Sequence, residues 1–349
     1  MAHFCFHWMK VASPSFFLIA GFLLTDVWAK GGWVLLWSDE FDGTSLNESV
    51  WTVEVHGAGA FNGEQQRYTA GHDQAASNIF VDNGCLSIVA KKSGDITSGR
   101  INSQGKKTFM HGRMEARMRL PVSMGMWPAF WMLGTAGGWP GCGELDIMEG
   151  KGRLPSWTSG SYHFTNFDVT ASMTYPKGNL HDSFHLYAAE WTSDSMRWYC
   201  DDSNFTTLTK AKNANLPFDR QFYFILNLAV GGNFDGNSDA TTIYPESLVV
   251  DYVRVYNWNP DVPVEPRGER PSCRMPSIAC GAGTVSVSNF PGAYCSITIT
   301  AMDGKTVVCR PAAVAPVNID TRAYASGVYC VTASGVFGAI SKRIVVSRR

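Results

Sequence analysis

The chain has 349 residues, a formal net charge of −1 and 17% charged side chains, below the roughly 25% usual in soluble domains. That balance excludes a basic face for nucleic acid and a polybasic face for an anionic membrane. The surplus lies in 12 Trp, 12 Tyr and 34 Gly, which suits a β-sandwich with tight turns and a surface that stacks on flat, weakly polar ligands.

Residues 13–29, SPSFFLIAGFLLTDVWA, read as a secretory signal. An apolar core from Phe16 to Leu24 is followed by Val27 and Ala29 at small-residue cleavage spacing. MKVASPSFF, from Met9, is a more ordinary start than the residues before it. The competing reading is a membrane anchor, but the run falls short of the roughly 20 apolar residues a span needs. We therefore expect residues 1–29 to be cleaved on export. The mature chain is then secreted, extracellular or at the cell surface, with no membrane partner. Of the nine cysteines only Cys5 precedes the cleavage point. The even remainder favours disulfides in an exported chain, in a pattern that spacing leaves open. No pair has zinc-finger spacing.

From Trp33 to Trp258 short β-like runs alternate with turns, without a long helical period. In RMEARMRL, Met114, Ala116, Met118 and Leu120 face one way, while Arg113, Glu115, Arg117 and Arg119 face the other. In GMWPAFWML, Trp127 and Trp131 share a face if the segment is extended, as core or as a sugar platform.

GELDIMEG, Gly143 to Gly150, follows. Its three acids lie in an apolar strand with no basic residue beside them. Strict alternation puts Glu144 and Asp146 on one face and Glu149 on the other. Unpaired carboxylates there cost several kcal/mol, about, unless neutralised or given a task. One reading pairs them with arginines of a neighbouring strand. The other invokes a β-bulge, whose extra residue resets the alternation. With the bulge at Ile147–Met148, all three acids point the same way. Retaining glycosidases need two carboxyl groups about 5–5.5 Å apart. Such crowding forces at least one pKa upward, which makes a general acid beside an ionised nucleophile.

Residues 259–272, NPDVPVEPRGERPS, carry four prolines and mixed charge and read as a stiff exposed linker. Residues 273–349 then form a compact β module, with a hairpin signal at Asp303-Gly304. The expected order is signal (1–29), catalytic domain (30–258), linker (259–272) and C-terminal module (273–349).

Taken together, WSDEFDG, NGEQQRYT, GRMEARMRL, GMWPAFWMLG, GELDIMEG, GSYHF, FHLYAAEW, LNLAVGGNFDG and DYVRVY resemble, in content and order, glycoside hydrolase family 16 in its bulged, laminarinase-like form. The resemblance spans about Trp33 to Trp258. It implies an all-β, concanavalin-like jelly roll with a glucan cleft across its concave sheet. It also implies Glu144 as nucleophile, Asp146 as the helper that tunes it, and Glu149 as acid/base. Trp127 and Trp131 then stack on sugar, Glu115 and Arg117 bind glycone hydroxyls, and Asn62 lines the same end. His163 either approaches the aglycone side or is a hydrogen-bonded histidine on a cleft strand. Asn227 is a further candidate. Some members hold a calcium ion far from the cleft, and Glu40, Gly84 (through its carbonyl) and Asp251 match that pattern; otherwise the two acids are ordinary solvated groups. No cofactor is required for the reaction.

The expected protein is a monomeric, retaining endo-β-glucanase acting on β-1,3 bonds of laminarin-type or mixed-linkage glucans. The rivals are a lichenase, agarase or carrageenase on the same fold, and a non-catalytic glycan-binding sandwich, a class that typically lacks the acids. In the module, SITITAMDGKTVV, NIDTRAYASGVYCV and KRIVVSRR resemble the sorting domain of type IX secretion, whereas its several cysteines depart from that pattern. A carbohydrate-binding module is the alternative.

Overall fold

The computed structural model describes residues 30–74, 76–211, 219–263, 276–281, 283–289, 294–314, 316–335 and 338–347. The expected signal and most of the expected linker lie outside them. Among the described residues the secondary structure is β, without a helix. None of it is therefore a helix long and apolar enough to cross a membrane.

Two large sheets face each other. The concave sheet runs, in spatial order, Phe167–Thr174, Trp157–Phe164, Glu144–Gly150, Met126–Gly134, Phe222–Val230, Arg100–Asn102 and Thr52–Val53. The opposing convex sheet runs from Ser203–Thr209 through Ser195–Cys200, His185–Trp191, Gly112–Arg119 and Glu246–Pro263 to Cys85–Ser93 and its short neighbours. Alternation explains the convex sheet. Met114, Ala116 and Met118 enter the core between the sheets, so Arg113, Glu115 and Arg117 face outward. The Phe222–Val230 strand is buried at every position because one face meets the core and the other floors the cleft. The strands Ile79–Asp82 and Cys85–Ser93 meet at Asn83-Gly84, whose φ values of 55° and 74° make the left-handed turn that this dipeptide favours.

The first domain does not stop at residue 258. The Glu246–Pro263 strand continues along Lys30–Asp39, with Gly32 opposite Asn259 and Lys30 opposite Pro263. The first five residues of the expected linker are thus strand, because backbone pairing overrides the proline signal at a sheet edge. The C-terminal module has its own core. Ser277–Gly281, Thr284–Ser288 and Val317–Asp320 form a three-stranded sheet, and Thr306–Val314, Tyr294–Ala301, Gly327–Gly335 and Gly338–Val346 a four-stranded one. Ile278, Val287, Ile297, Ile299 and Val331 fill this second core. The hairpin at Asp303-Gly304 forms, with Gly304 at φ 84°.

The expected disulfides are present only in part among the described residues. Cys142, Cys200, Cys280, Cys295, Cys309 and Cys330 are free thiols, and among the described residues only Cys85 is disulfide-bonded.

Candidate active site

The Glu144–Gly150 strand contains the bulge. Against Met126–Gly134, Asp146 pairs with Trp131 and Met148 with Phe130, so Ile147 is the extra residue. On the other side Asp146 pairs with Ser161 and Glu149 with Ser159. Leu145, Ile147 and Met148 all pack into the core, and Glu144, Asp146 and Glu149 all line one cleft. Alternation would have buried Glu149 among those apolar side chains.

Two features hold this backbone. A bulge breaks the local ladder, and here the Asp146 carbonyl is satisfied from the opposite sheet, where Trp198 donates its indole N–H to it at 2.8 Å. Trp198 can reach it because residue 160 is glycine; a Cβ there would lie 2.2 Å from the Trp198 ring. Gly143, at φ 85°, turns the chain into the strand where a side chain would strike Phe222.

The cleft has a volume of about 450 Å³. Trp139 leans over it from the loop before the catalytic strand and donates its N–H to Glu144 at 2.7 Å. Trp127 donates to Glu149 at 3.0 Å, and Trp131 to Asn227 at 2.8 Å. Asn227 in turn donates to the Tyr68 hydroxyl, which donates to Glu64. The Arg100 guanidinium lies 4.8 Å from the Phe61 ring centroid and 4.9 Å from that of Trp131. Its Nε donates to Glu54.

The electrostatics follow from burial. Burial raises the affinity of Glu149 for its proton to about 7; the Trp127 hydrogen bond opposes this and the Glu144 charge adds to it. Glu144 and Asp146 share a hydrogen bond; burial and then the Asp146 charge push Glu144 up, and burial pushes Asp146 up against the His163 hydrogen bond, with the Glu149 charge adding to it. The pair therefore holds a proton more readily than two separate carboxyls. His163 stands against this cluster, with Nε2 3.1 Å from Asp146 and Nδ1 2.8 Å from Asp168. Burial works against its cationic form, but hydrogen bonds to both carboxylates and the charges of Asp146 and Glu144 outweigh that and lift it to about 10. Glu144, Asp146 and His163 offer donor atoms within 4.8 Å of one another, a spacing within reach of a metal ion. A protonated ring, however, presents N–H groups and no lone pair.

Several expected residues are brought together: Asn62, Trp127, Trp131 and Asn227 line the cleft with the three acids, and His163 is hydrogen-bonded beside them. The indole of Trp127 is not an open platform, since Phe234 stacks on it at 4.7 Å and 23°. Glu115 and Arg117 are not in the cleft. They lie on the outer face of the convex sheet, where Glu115 pairs with Arg113, and Arg117 with Asp251 at 2.7 Å. Their alternation correctly separates polar from apolar faces but does not say to which sheet the strand belongs.

The acids expected to hold calcium carry protein partners of their own. Both oxygens of Glu40 accept from Arg254, at 2.8 and 2.7 Å, and the fully buried Asp251 accepts from Arg117. Gly84 sits in the Asn83-Gly84 turn.

Glu64, Trp139 and Arg100 are among the cleft residues that the sequence did not single out. Glu64 lay two positions beyond Asn62 in NGEQQRYT. Trp139 lay between GMWPAFWMLG and GELDIMEG, in neither motif. Arg100 lay in no motif.

A row of buried carboxylates, each with its proton affinity raised, on the concave sheet of an aromatic-walled jelly roll defines a glycoside hydrolase. The chain belongs to the glycosyl hydrolases family 16, which it matches over residues 49–253. It is 38% identical over 251 residues to a beta-glucanase of Rhodothermus marinus, covering 65% of this chain and 86% of that protein. It is 36% identical over 266 residues to glucan endo-1,3-beta-glucosidase A1 of Niallia circulans, covering 65% of this chain but only 38% of that longer protein. Among solved structures, the endo-beta-1,3-glucanase of Pyrococcus furiosus superposes with a TM-score of 0.61 at 38% identity, covering 65% of this chain and 95% of that one.

Proposed function

We propose that the chain is an exported, retaining endo-β-glucanase that cuts β-1,3 linkages in laminarin-type or mixed-linkage glucans. The observation that carries this reading is the bulge at Ile147, which sets Glu144, Asp146 and Glu149 on one wall of the cleft. The naming of the similar enzymes favours β-1,3-glucan over galactan. In the first step Glu144 attacks the anomeric carbon while Glu149 gives its proton to the departing glycosidic oxygen. In the second, Glu149 takes a proton from water, which releases the sugar from Glu144 with the β-configuration restored. Asp146 supports the charge change on Glu144. Trp139 holds Glu144 by its N–H, and its ring, 64% exposed, offers the open face on which a pyranose can stack.

The test is substitution with substrate and product analysis. Glu144→Gln and Glu149→Gln are each expected to lower turnover of laminarin by several orders of magnitude with the fold retained. NMR of the wild-type reaction should show the β-anomer appearing first. Normal hydrolysis by either variant, or a first-formed α-anomer, would sink the mechanism; preferential cleavage of lichenan or agarose would instead move the specificity. We propose further that the chain acts as a monomer and that the C-terminal module directs sorting at export. Its position after the catalytic domain and its GVY-to-basic ending support this, and glycan binding is the competing outcome.

A further inference from the structure

Both ring nitrogens of His163 face carboxylates, Asp146 at 3.1 Å and Asp168 at 2.8 Å. An ionised carboxylate only accepts hydrogen bonds, so each nitrogen must carry a hydrogen. Strand register produces the arrangement: Glu144 pairs with His163 across one ladder, and His163 pairs with Asp168 across the next. Three adjacent strands thus deliver a carboxylate, an imidazolium and a carboxylate in a row, and Asp146 meets the same ring on the cleft side. We propose that Asp168 is a positioning residue: by accepting Nδ1–H it fixes the His163 ring so that Nε2–H stays aimed at Asp146.

The inference rests on the proposed roles of Glu144 and Asp146 and adds the device that keeps a cation beside them. The His163 side chain is 24% exposed, and a ring held at one nitrogen only can swing toward solvent. A second hydrogen bond at the opposite nitrogen removes that freedom. The charged groups that act on the ring are Glu144, Asp146 and Glu149 from the catalytic strand and Asp168 from the edge strand. On its own strand, Ser161 is bonded to Thr170 instead. With the cation fixed, the Glu144–Asp146 pair ionises at lower pH than it would alone, which the attacking carboxylate requires. The proton stays on His163 throughout. The Asp168 side chain is 73% exposed, so replacing it leaves the core untouched.

Two variants test this. Asp168→Asn keeps an oxygen that can accept Nδ1–H, whereas Asp168→Ala removes it. Asp168→Ala is expected to lower kcat on laminarin about three- to ten-fold, the value of one such hydrogen bond, with KM unchanged. It should also move the acidic limb of kcat/KM to higher pH and the His163 NMR titration to lower pH, while Asp168→Asn recovers most of kcat. The proposal is overturned if the limb and the titration stay in place in Asp168→Ala. It is equally overturned if both variants lose activity to the same extent alongside a fall in Tm, which marks a merely structural residue. Normal turnover by Glu144→Gln or Glu149→Gln would refute the functional reading instead, and the His163 titration in Asp168→Ala would still decide the positioning role.

Discussion

Glu149 is the residue at which chemistry and stability oppose each other most directly. Its proton affinity is raised from 4.5 to about 7, chiefly by burial. Below pH 4.5 both folded and unfolded chains hold the proton and nothing is lost. Between about pH 4.5 and 7 the unfolded chain releases it while the folded chain keeps it, so stability falls as pH rises. Above 7 the loss is complete. Glu149→Gln removes the charge at every pH, and we expect it to be more stable than wild type by about 1–3 kcal/mol at pH 8 and by almost nothing at pH 4. Denaturant unfolding at the two pH values checks this; a variant less stable at pH 8 would contradict it. The same proton sets the alkaline limb of activity. kcat/KM should decline above about pH 7 as Glu149 loses the hydrogen it must donate, and a profile flat to pH 9 would exclude Glu149 as the acid.

At the scale of the element, the bulged strand works because two other elements make room for it and satisfy it. Trp198 donates from the convex sheet to the Asp146 carbonyl, through the gap left by Gly160. Trp198→Phe retains most of the ring volume but leaves a buried carbonyl without its donor, a loss of about 1–3 kcal/mol. We expect a lower Tm and a lower kcat with little change in KM, because the acids shift while the cleft walls stay. Gly160→Ala should destabilise by a similar amount through overpacking against the indole. If both variants keep wild-type kcat, the bulge does not depend on this support. The acid row was legible in the sequence because alternation failed there, and Leu145, Ile147 and Met148 allowed only one economical repair. Its support was not. Trp198 and Gly160 are 38 positions apart, as the numbering shows, and nothing local marks either as a partner of Asp146. Sheet membership was equally hidden. Gly112–Arg119 shows its two faces in its residue pattern, yet only tertiary pairing reveals that its polar face lies outside the cleft, leaving Arg100 and Glu64 beside the acids where Glu115 and Arg117 were expected.

The whole molecule holds two hydrophobic cores that share no residue. The catalytic core takes its apolar side chains from Phe41 through Val255, and the second core runs from Ile278 to Ile344. Every residue of the cleft, from Phe61 to Asn227, lies within the stretch of chain that builds the first. The family match ends at residue 253, and the strand that closes the domain continues to Pro263 along Lys30–Asp39. That extra length matters for where a truncation is made. A chain ending at residue 258 strips partners from Gly32 and Lys30, exposing an unpaired edge. A chain of residues 30–263 keeps them. We expect this longer truncation to fold and to hydrolyse soluble laminarin with kcat and KM within about two-fold of the full chain, a change below 0.5 kcal/mol or so. The version ending at residue 258 should have a lower Tm and a greater tendency to aggregate. If the module sorts the protein at export, a chain of residues 1–263 should lose placement at the cell surface while keeping activity. If it binds glycan, the loss should appear in retention on insoluble β-1,3-glucan. A ten-fold fall in kcat on soluble substrate would show instead that the module completes the catalytic domain, and the independence of the two cores would have to be abandoned.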